Sequence, residues 1–389
     1  MQRSRRDFLR TSALGLAAGL ASSRIVLGEE AEPPLEKSVR WGIIGTGARS
    51  RHHIKAVNMF SDMDILAACD VDEGRLQLGL ERIGKPVAAY KDYQELLARS
   101  NINAVLVCAP NMFHKEMVLA SLEAGKHVLC EKPMATTWED CLAMKKAQED
   151  SSLVVVYGLQ LRHSCRYRQL REIIQSGKIG APQYVLLPEY RGDWNLGNVW
   201  QYTDPETGRR MNWRFSQVAT GGTLNEKMCH YFDIINWMLD DVPTRVYGNG
   251  GISHYKDKRE TWDHASVHLE YPNGAKALVS LCMFGPKRLD PQIIGEEGSL
   301  HLMKDCVLFQ GTGPNRKKQE EISLTKEVRH GQKGTETAVL EMYQDFRDCV
   351  KNGRKPYVDV EKAVPSSKIA WLAELSAERR AEVAWDELG

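Results

Sequence analysis

At 389 residues the chain exceeds the length at which a single hydrophobic core usually stops growing, so two domains are expected. Hydrophobic residues make up 42% and charged residues 26%, the balance of a globular protein rather than a disordered one. With 52 basic against 51 acidic side chains the net charge is +1, which gives no electrostatic footprint for nucleic acid or an anionic membrane.

The first 28 residues stand apart. Ser4-Arg5-Arg6-Asp7-Phe8-Leu9-Arg10 places two arginines before a weakly apolar stretch, Ala13 to Ala21. That stretch is too short to span a bilayer and resembles the core of a twin-arginine export signal, with a basic amphipathic helix as the alternative. Cleavage is compatible with Ser23 or Gly28, and residues 29–36, with two prolines, read as a linker. The expectation is an exported, periplasmic protein that engages the twin-arginine machinery. Nine cysteines without a Cys-x-x-Cys pair imply neither a zinc site nor a disulfide framework, and no metal is expected.

Strand and helix signals then alternate. Val39–Ile44 is an apolar run that ends in Gly45-Thr46-Gly47-Ala48-Arg49-Ser50, and a helix follows over about 51–60. Strand, glycine turn and helix form the dinucleotide-binding arrangement. Gly45 permits the turn, Gly47 clears the approach of a pyrophosphate, and the helix start supplies free N–H groups. Ser50 replaces the third glycine of that motif. The next strand, 64–69, ends in Asp70, placed to meet the adenosine ribose hydroxyls, whereas Asp70 or Asp72 can instead cap a helix over 73–83. A carboxylate there repels a 2′-phosphate, so NAD is expected. Further strands over 87–90, 104–109, 127–130 and 153–157 alternate with helices over 92–100, 114–124 and 137–149. The fold class is α/β, a doubly wound parallel Rossmann sheet over 37–158.

Gly45-Thr46-Gly47, Ala109-Pro110-Asn111-x-x-His114, Ala124-Gly125-Lys126-His127-Val128 and Glu131-Lys132-Pro133 resemble the Gfo/Idh/MocA oxidoreductases in order and spacing. So do Asn212-Trp213-Arg214, Gly221-Gly222 and Glu226-Lys227-Met228-Cys229-His230-Tyr231-Phe232-Asp233. The resemblance implies a second, α+β domain over 159–360 with a large open, mostly antiparallel sheet for substrate and oligomer contacts. The runs 265–270 and 275–280 flank Asn273-Gly274, a hairpin signal. A helical tail over 361–389 is expected to pack back on the first domain. The family also implies a homodimer or homotetramer, and cofactor contacts at Gly45, Thr46, Gly47, Ala48, Arg49, Asp70, Ala109, Pro110, Asn111, His114, Glu131 and Lys132.

Lys132 follows a strand at the carboxyl edge of the sheet, where such folds bind ligands; the resemblance places it beside the nicotinamide, stabilising charge on the reacting oxygen. Its bond to Pro133 has a cis option. Glu226 and His230 are four apart, on one face if the segment is helical. This suits an acid that orients a histidine base, or an ordinary helix contact. Glu226 stands where the family commonly has Asp, and Lys227-Met228 where it has small residues, which makes Glu226 and Lys227 candidate proton carriers. Tyr190, Trp194, Trp200, Tyr202 and Trp213, interleaved with Arg191, Asp193 and Arg214, suit stacking on a sugar ring or, singly, a core or an interface. Candidate substrate contacts are Arg162, His163, Tyr190, Trp194, Trp213, Arg214 and His230, with His264 a further option. The leading reading is an NAD-dependent oxidoreductase acting on a sugar, glycoside or polyol with a retained, internally recycled cofactor. The alternatives are redox-neutral glycosidase or lyase chemistry through a transient keto-sugar, and a non-catalytic sugar-binding protein that retains NAD.

Overall fold

The computed structural model describes residues 39–193, 200–324 and 337–389. Trp194 and the proposed signal segment lie outside the described residues. Six parallel strands open the chain: β1 (Val39–Ile44), β2 (Met63–Cys69), β3 (Ala88–Tyr90), β4 (Ala104–Val107), β5 (His127–Cys130) and β6 (Val155–Tyr157), in the order β3-β2-β1-β4-β5-β6. The order reverses at β1 and β4, the switch point at which ligands bind beyond the carboxyl ends of the strands. Helices α1 (Ser50–Val57), α2 (Glu73–Ile83), α3 (Tyr93–Leu97), α4 (His114–Glu123) and α5 (Trp138–Glu149) connect them. β4 is buried along its whole length, because both faces of the sheet carry apolar clusters.

After α6 (Cys165–Gln175) the chain enters a second sheet through β7 (Pro182–Tyr190). A small hairpin, β8 (Gln201–Thr203) and β9 (Arg210–Asn212), then leads to α7 (Gln217–Thr220) and α8 (Cys229–Leu239). The large sheet is completed by β10 (Arg245–Gly251), β11 (His264–Glu270), β12 (Lys276–Cys282), β13 (Arg288–Leu289), β14 (Gln292–Gly295), β15 (Gly298–Leu302), β16 (Cys306–Gly311) and β17 (Gln319–Ser323). Its order is β17-β16-β15-β14-β7-β12-β11-β10-β18, with β18 (Val383–Ala384) at the edge and β13 pairing β7. Only β7 and β12 run parallel; every other pairing is antiparallel. The Asn273-Gly274 turn joins β11 to β12 as its sequence predicts, with Gly274 at φ +84°. Alternate residues of β7, β11 and β12 point into one core under α8, and the intervening residues face the uncovered side.

Two expected boundaries change. α9 (Thr337–Asn352), assigned by sequence to the second domain, buries Val339, Leu340, Met342, Tyr343 and Phe346 in the Rossmann core. Trp41 of β1 meets Tyr343 and Phe346 with ring centroids 5.2 and 4.7 Å apart. α10 (Val360–Arg379), expected on the first domain, lies across both: Val360 and Ala363 join the Rossmann cluster, whereas Ile369, Ala370, Leu372 and Ala373 pack under β10 and α8. α10, late in the chain, thus ties the two domains together.

Candidate active site

The cleft begins at the glycine turn. Gly45 has φ +91°, and a Cβ there would stand 2.5 Å from the Cys108 carbonyl oxygen, so position 45 requires glycine on both counts. A Cβ on Gly47 would meet nothing within 4 Å: that backbone faces open space. Ser50 begins α1 and donates its hydroxyl to the Gly47 carbonyl at 2.8 Å, so the residue that replaces the third glycine braces the turn. Thr46 donates its N–H to Asp70 Oδ2 at 2.9 Å, and Arg82 of α2 donates to the Thr46 and Gly47 carbonyls, each at 3.1 Å. Asp72 rather than Asp70 caps α2, accepting the Arg75 N–H at 2.9 Å. Asp70 is thereby left at the turn. An open glycine turn at a helix start, with a carboxylate at the end of β2, fits NAD.

At the end of β5, Glu131 is buried. It accepts Arg49 Nε at 2.6 Å and His53 Nε2 at 2.8 Å on one oxygen, and the Lys132 N–H at 3.1 Å on the other. Burial alone would raise its carboxyl pKa, but Arg49 and His53 outweigh that and hold it well below the usual range. Glu131 therefore stays ionised. His53 Nδ1 meets the Tyr343 hydroxyl of α9 at 3.0 Å, a contact no local sequence signal indicates. His114 proves to be scaffold. It is fully buried, with Nδ1 2.8 Å from the Pro133 carbonyl and Nε2 3.0 Å from that of Ala109, so it fixes the loop after β4.

The Lys132–Pro133 bond is cis. Lys132 Nζ donates to the Glu226 main-chain carbonyl at 2.7 Å and lies 3.4 Å from its carboxylate. That carboxylate also accepts Asn111 Nδ2 at 2.8 Å and faces Arg214 Nε at 3.6 Å. Asn111 and Lys132 from the first domain and Glu226 and Arg214 from the second therefore meet at one point.

The Glu226–His230 pair is not formed as its spacing suggested. Leu224–Met228 is wound as a π-helix before α8 begins at Cys229. The wider winding takes residues four apart out of stacking register. Glu226 is spent on Asn111, Lys132 and Arg214, and His230 Nδ1 is buried without a hydrogen-bond partner. Burial first, and then Lys132 and Lys227, push the imidazole pKa well below its ordinary value. His230 is consequently neutral at physiological pH and able to accept a proton. Lys227 lies over the Tyr231 ring and pairs with Glu189 Oε1 at 2.9 Å. Burial, with Arg191 and Lys132 nearby, lowers the Lys227 pKa.

Glu189 is the residue the sequence reading missed. It points from β7 toward the core side, while its neighbour Tyr190 points to the uncovered face. The alternation of the strand thus removes Tyr190 from the cleft. Other expected substrate contacts move as well. Arg162 is held by both oxygens of Asp233, at 2.8 and 2.9 Å, with the Trp237 ring 5.4 Å away, and is structural. His163 lines a separate groove of about 880 Å³ with Arg168, Asp345 and Tyr357. His264 begins β11 on its uncovered face and meets the carboxylate of the buried Asp263 at 2.8 Å. Trp213 packs with Tyr202, Met211 and Phe215 in a small cluster, and its ring supports the Arg214 guanidinium at 4.6 Å. Trp200 of the same cluster meets Phe113 of the first domain at 5.9 Å.

A dinucleotide turn facing a lysine and a neutral histidine across a domain cleft defines a nicotinamide-dependent oxidoreductase. Comparison with known proteins agrees. Residues 39–159 match the family model described as "Oxidoreductase family, NAD-binding Rossmann fold", and 167–301 match the GFO/IDH/MocA C-terminal domain, together more than half of the chain. The chain belongs to the Gfo/Idh/MocA oxidoreductase family and is an NAD-dependent enzyme of that type. Inositol 2-dehydrogenase of Salmonella typhimurium is 29% identical over 68% of this chain and 74% of its own length. Myo-inositol 2-dehydrogenase of Thermotoga maritima is 26% identical over 90% of this chain and 99% of its own. In fold, the chain is similar to levoglucosan dehydrogenase solved with NADH and levoglucosan (TM-score 0.76, 19% identity, covering 90% of this chain and all of that one).

Proposed function

We propose that the chain oxidises a hydroxyl of a sugar, glycoside or polyol, with His230 as the base and Lys132 on the reacting oxygen. The observation that carries this is the approach of Lys132, fixed by the Glu226 carbonyl, to a histidine held neutral by burial and by two lysines. His230 takes the hydroxyl proton, and the Lys132 ammonium stabilises the negative charge that develops on oxygen. NAD, when bound, would accept the hydride released from the carbon that bears this hydroxyl. Buried polar atoms without partners, Glu189 Oε2, Asn212 Nδ2 and Arg214 Nε, suit a substrate rich in hydroxyl groups. The named activities of the inositol and levoglucosan dehydrogenases support the same substrate class.

The arginine pair and apolar stretch before residue 29 support export through the twin-arginine route to the periplasm, and hence a cofactor that is carried along and recycled in place. The uncovered face of the large sheet, with Tyr247 and Leu308 exposed, suits a homo-oligomer contact. A second reading, redox-neutral cleavage through a keto-sugar, is favoured by one observation: Lys227–Glu189 is a further acid–base pair beside His230, with one carboxylate oxygen unpartnered. The test is a panel of inositols, hexoses, sugar acids and glycosides, with NADH absorbance and product masses followed together. Stoichiometric NADH and a ketone are expected. Cleaved glycoside without net NADH replaces this reading with the second, and no turnover of any compound removes both.

A further inference from the structure

The substrate end of the cleft carries more positive charge than its own carboxylates balance. Lys132 and Arg214 share one carboxylate, Glu226, at 3.4 and 3.6 Å. The next residue, Lys227, takes Glu189 at 2.9 Å. Arg191 lies two residues beyond Glu189 in an extended run, so it returns to the same face, where its charge acts on both Lys227 and Tyr231. Among the described residues Arg191 has no carboxylate within ion-pair distance, and its Nε donates only to the Gly192 carbonyl. Asp193, the next acid along, is fully engaged: both its oxygens meet Arg259, at 3.1 and 2.6 Å. Four cations therefore face two carboxylates. The Arg214 Nε, moreover, is buried with no hydrogen bond, on a guanidinium already oriented by the Trp213 ring.

Partly desolvated positive charge without a counter-charge is costly unless a ligand supplies one, and a guanidinium fork is shaped for planar or tetrahedral oxyanions. The oxidised nicotinamide ring adds further positive charge. We infer that the preferred substrate is a sugar or polyol bearing an anionic group, a carboxylate or a phosphate, received between Arg191 and Arg214. This rests on the dehydrogenase reading above and narrows its substrate class.

The experiment is calorimetric titration of the full protein with NAD present, using D-glucuronate, D-glucose 6-phosphate, D-glucose and myo-inositol at low and high salt. One of the two anions is expected to bind at least about tenfold more tightly than either neutral compound, with the advantage shrinking in salt. Which anion does so separates a carboxylate from a phosphate. Arg191→Gln and Arg214→Gln, each made singly, are expected to erase the anion preference, and Arg191→Gln to leave affinity for the neutral compounds within about threefold. Should one variant fail to fold, the other carries the test. Equal or weaker binding of both anions, or a preference that survives both substitutions, overturns the inference. NADH formed only from neutral sugars overturns it while leaving the dehydrogenase reading intact. If no compound reduces NAD, that reading falls, and the binding preference still decides this one.

Discussion

The two ends of the cleft are built on different principles. At the glycine turn the backbone does the work: Gly45 is pressed against Cys108, Gly47 faces open space, and Ser50 and Arg82 brace the carbonyls. At the other end side chains from four segments meet, Asn111 and Lys132 from one domain and Arg214 and Glu226 from the other, and their charges bias His230. A backbone site is unforgiving of added atoms but indifferent to pH. A site made of side chains tolerates changes in size but answers to charge. Replacements at the two ends should therefore fail in different ways.

The largest effects belong to the chemical end. Lys132→Met or His230→Asn is expected to lower kcat by about 10²–10⁴-fold while NAD affinity, read by protein fluorescence quenching, changes little. A loss of NAD binding equal to the loss of kcat would erase the contrast between the two ends. Gly45→Ala comes next. Its Cβ has no room, and the left-handed φ adds strain, so NAD affinity should fall by at least about tenfold and stability by about 1–3 kcal/mol, read by denaturant titration. Gly47→Ala, at an open position, should weaken NAD with little effect on stability.

Glu226→Gln tests the shared anchor. It keeps the size and the Asn111 contact site but removes the charge facing Lys132 and Arg214, and kcat should fall by about 10-fold or more with folding retained. The smallest expected effect is a shift in pH profile. Because burial, and then neighbouring positive charges, disfavour His230 protonation, kcat/KM should hold as pH falls through the ordinary histidine range and decline only below it. Lys227→Gln removes one of those charges, so the acid limb should move upward, toward pH 6.5. A downward or absent shift would mean that Lys227 does not act on His230.

The parallel sheet, the glycine turn, Asp70 and Lys132 were legible because each follows from local order: an apolar run, a break, a helix start. The Asn273-Gly274 hairpin is of the same kind. Glu131 could be proposed as a cofactor contact from its motif, but its partner His53 lies 78 positions away along the chain, and Tyr343, which meets the other nitrogen of that histidine, lies 290 positions beyond His53. No local pattern carries such a pairing.

What the sequence determined by itself was the order of elements and the identity of the groups able to do chemistry, since backbone preferences and apolar periodicity act over a few residues. Only the tertiary structure decided which of those groups meet. The π-helical winding of Leu224–Met228 separated Glu226 from His230, the alternation of β7 exchanged Tyr190 for Glu189, and Asp233 claimed Arg162. α9, late in the chain, closed the Rossmann core over Trp41. The reason is common to all four. Buried charges and rings take the partners that desolvation leaves them, and those partners are set by packing across the fold rather than by distance along the chain.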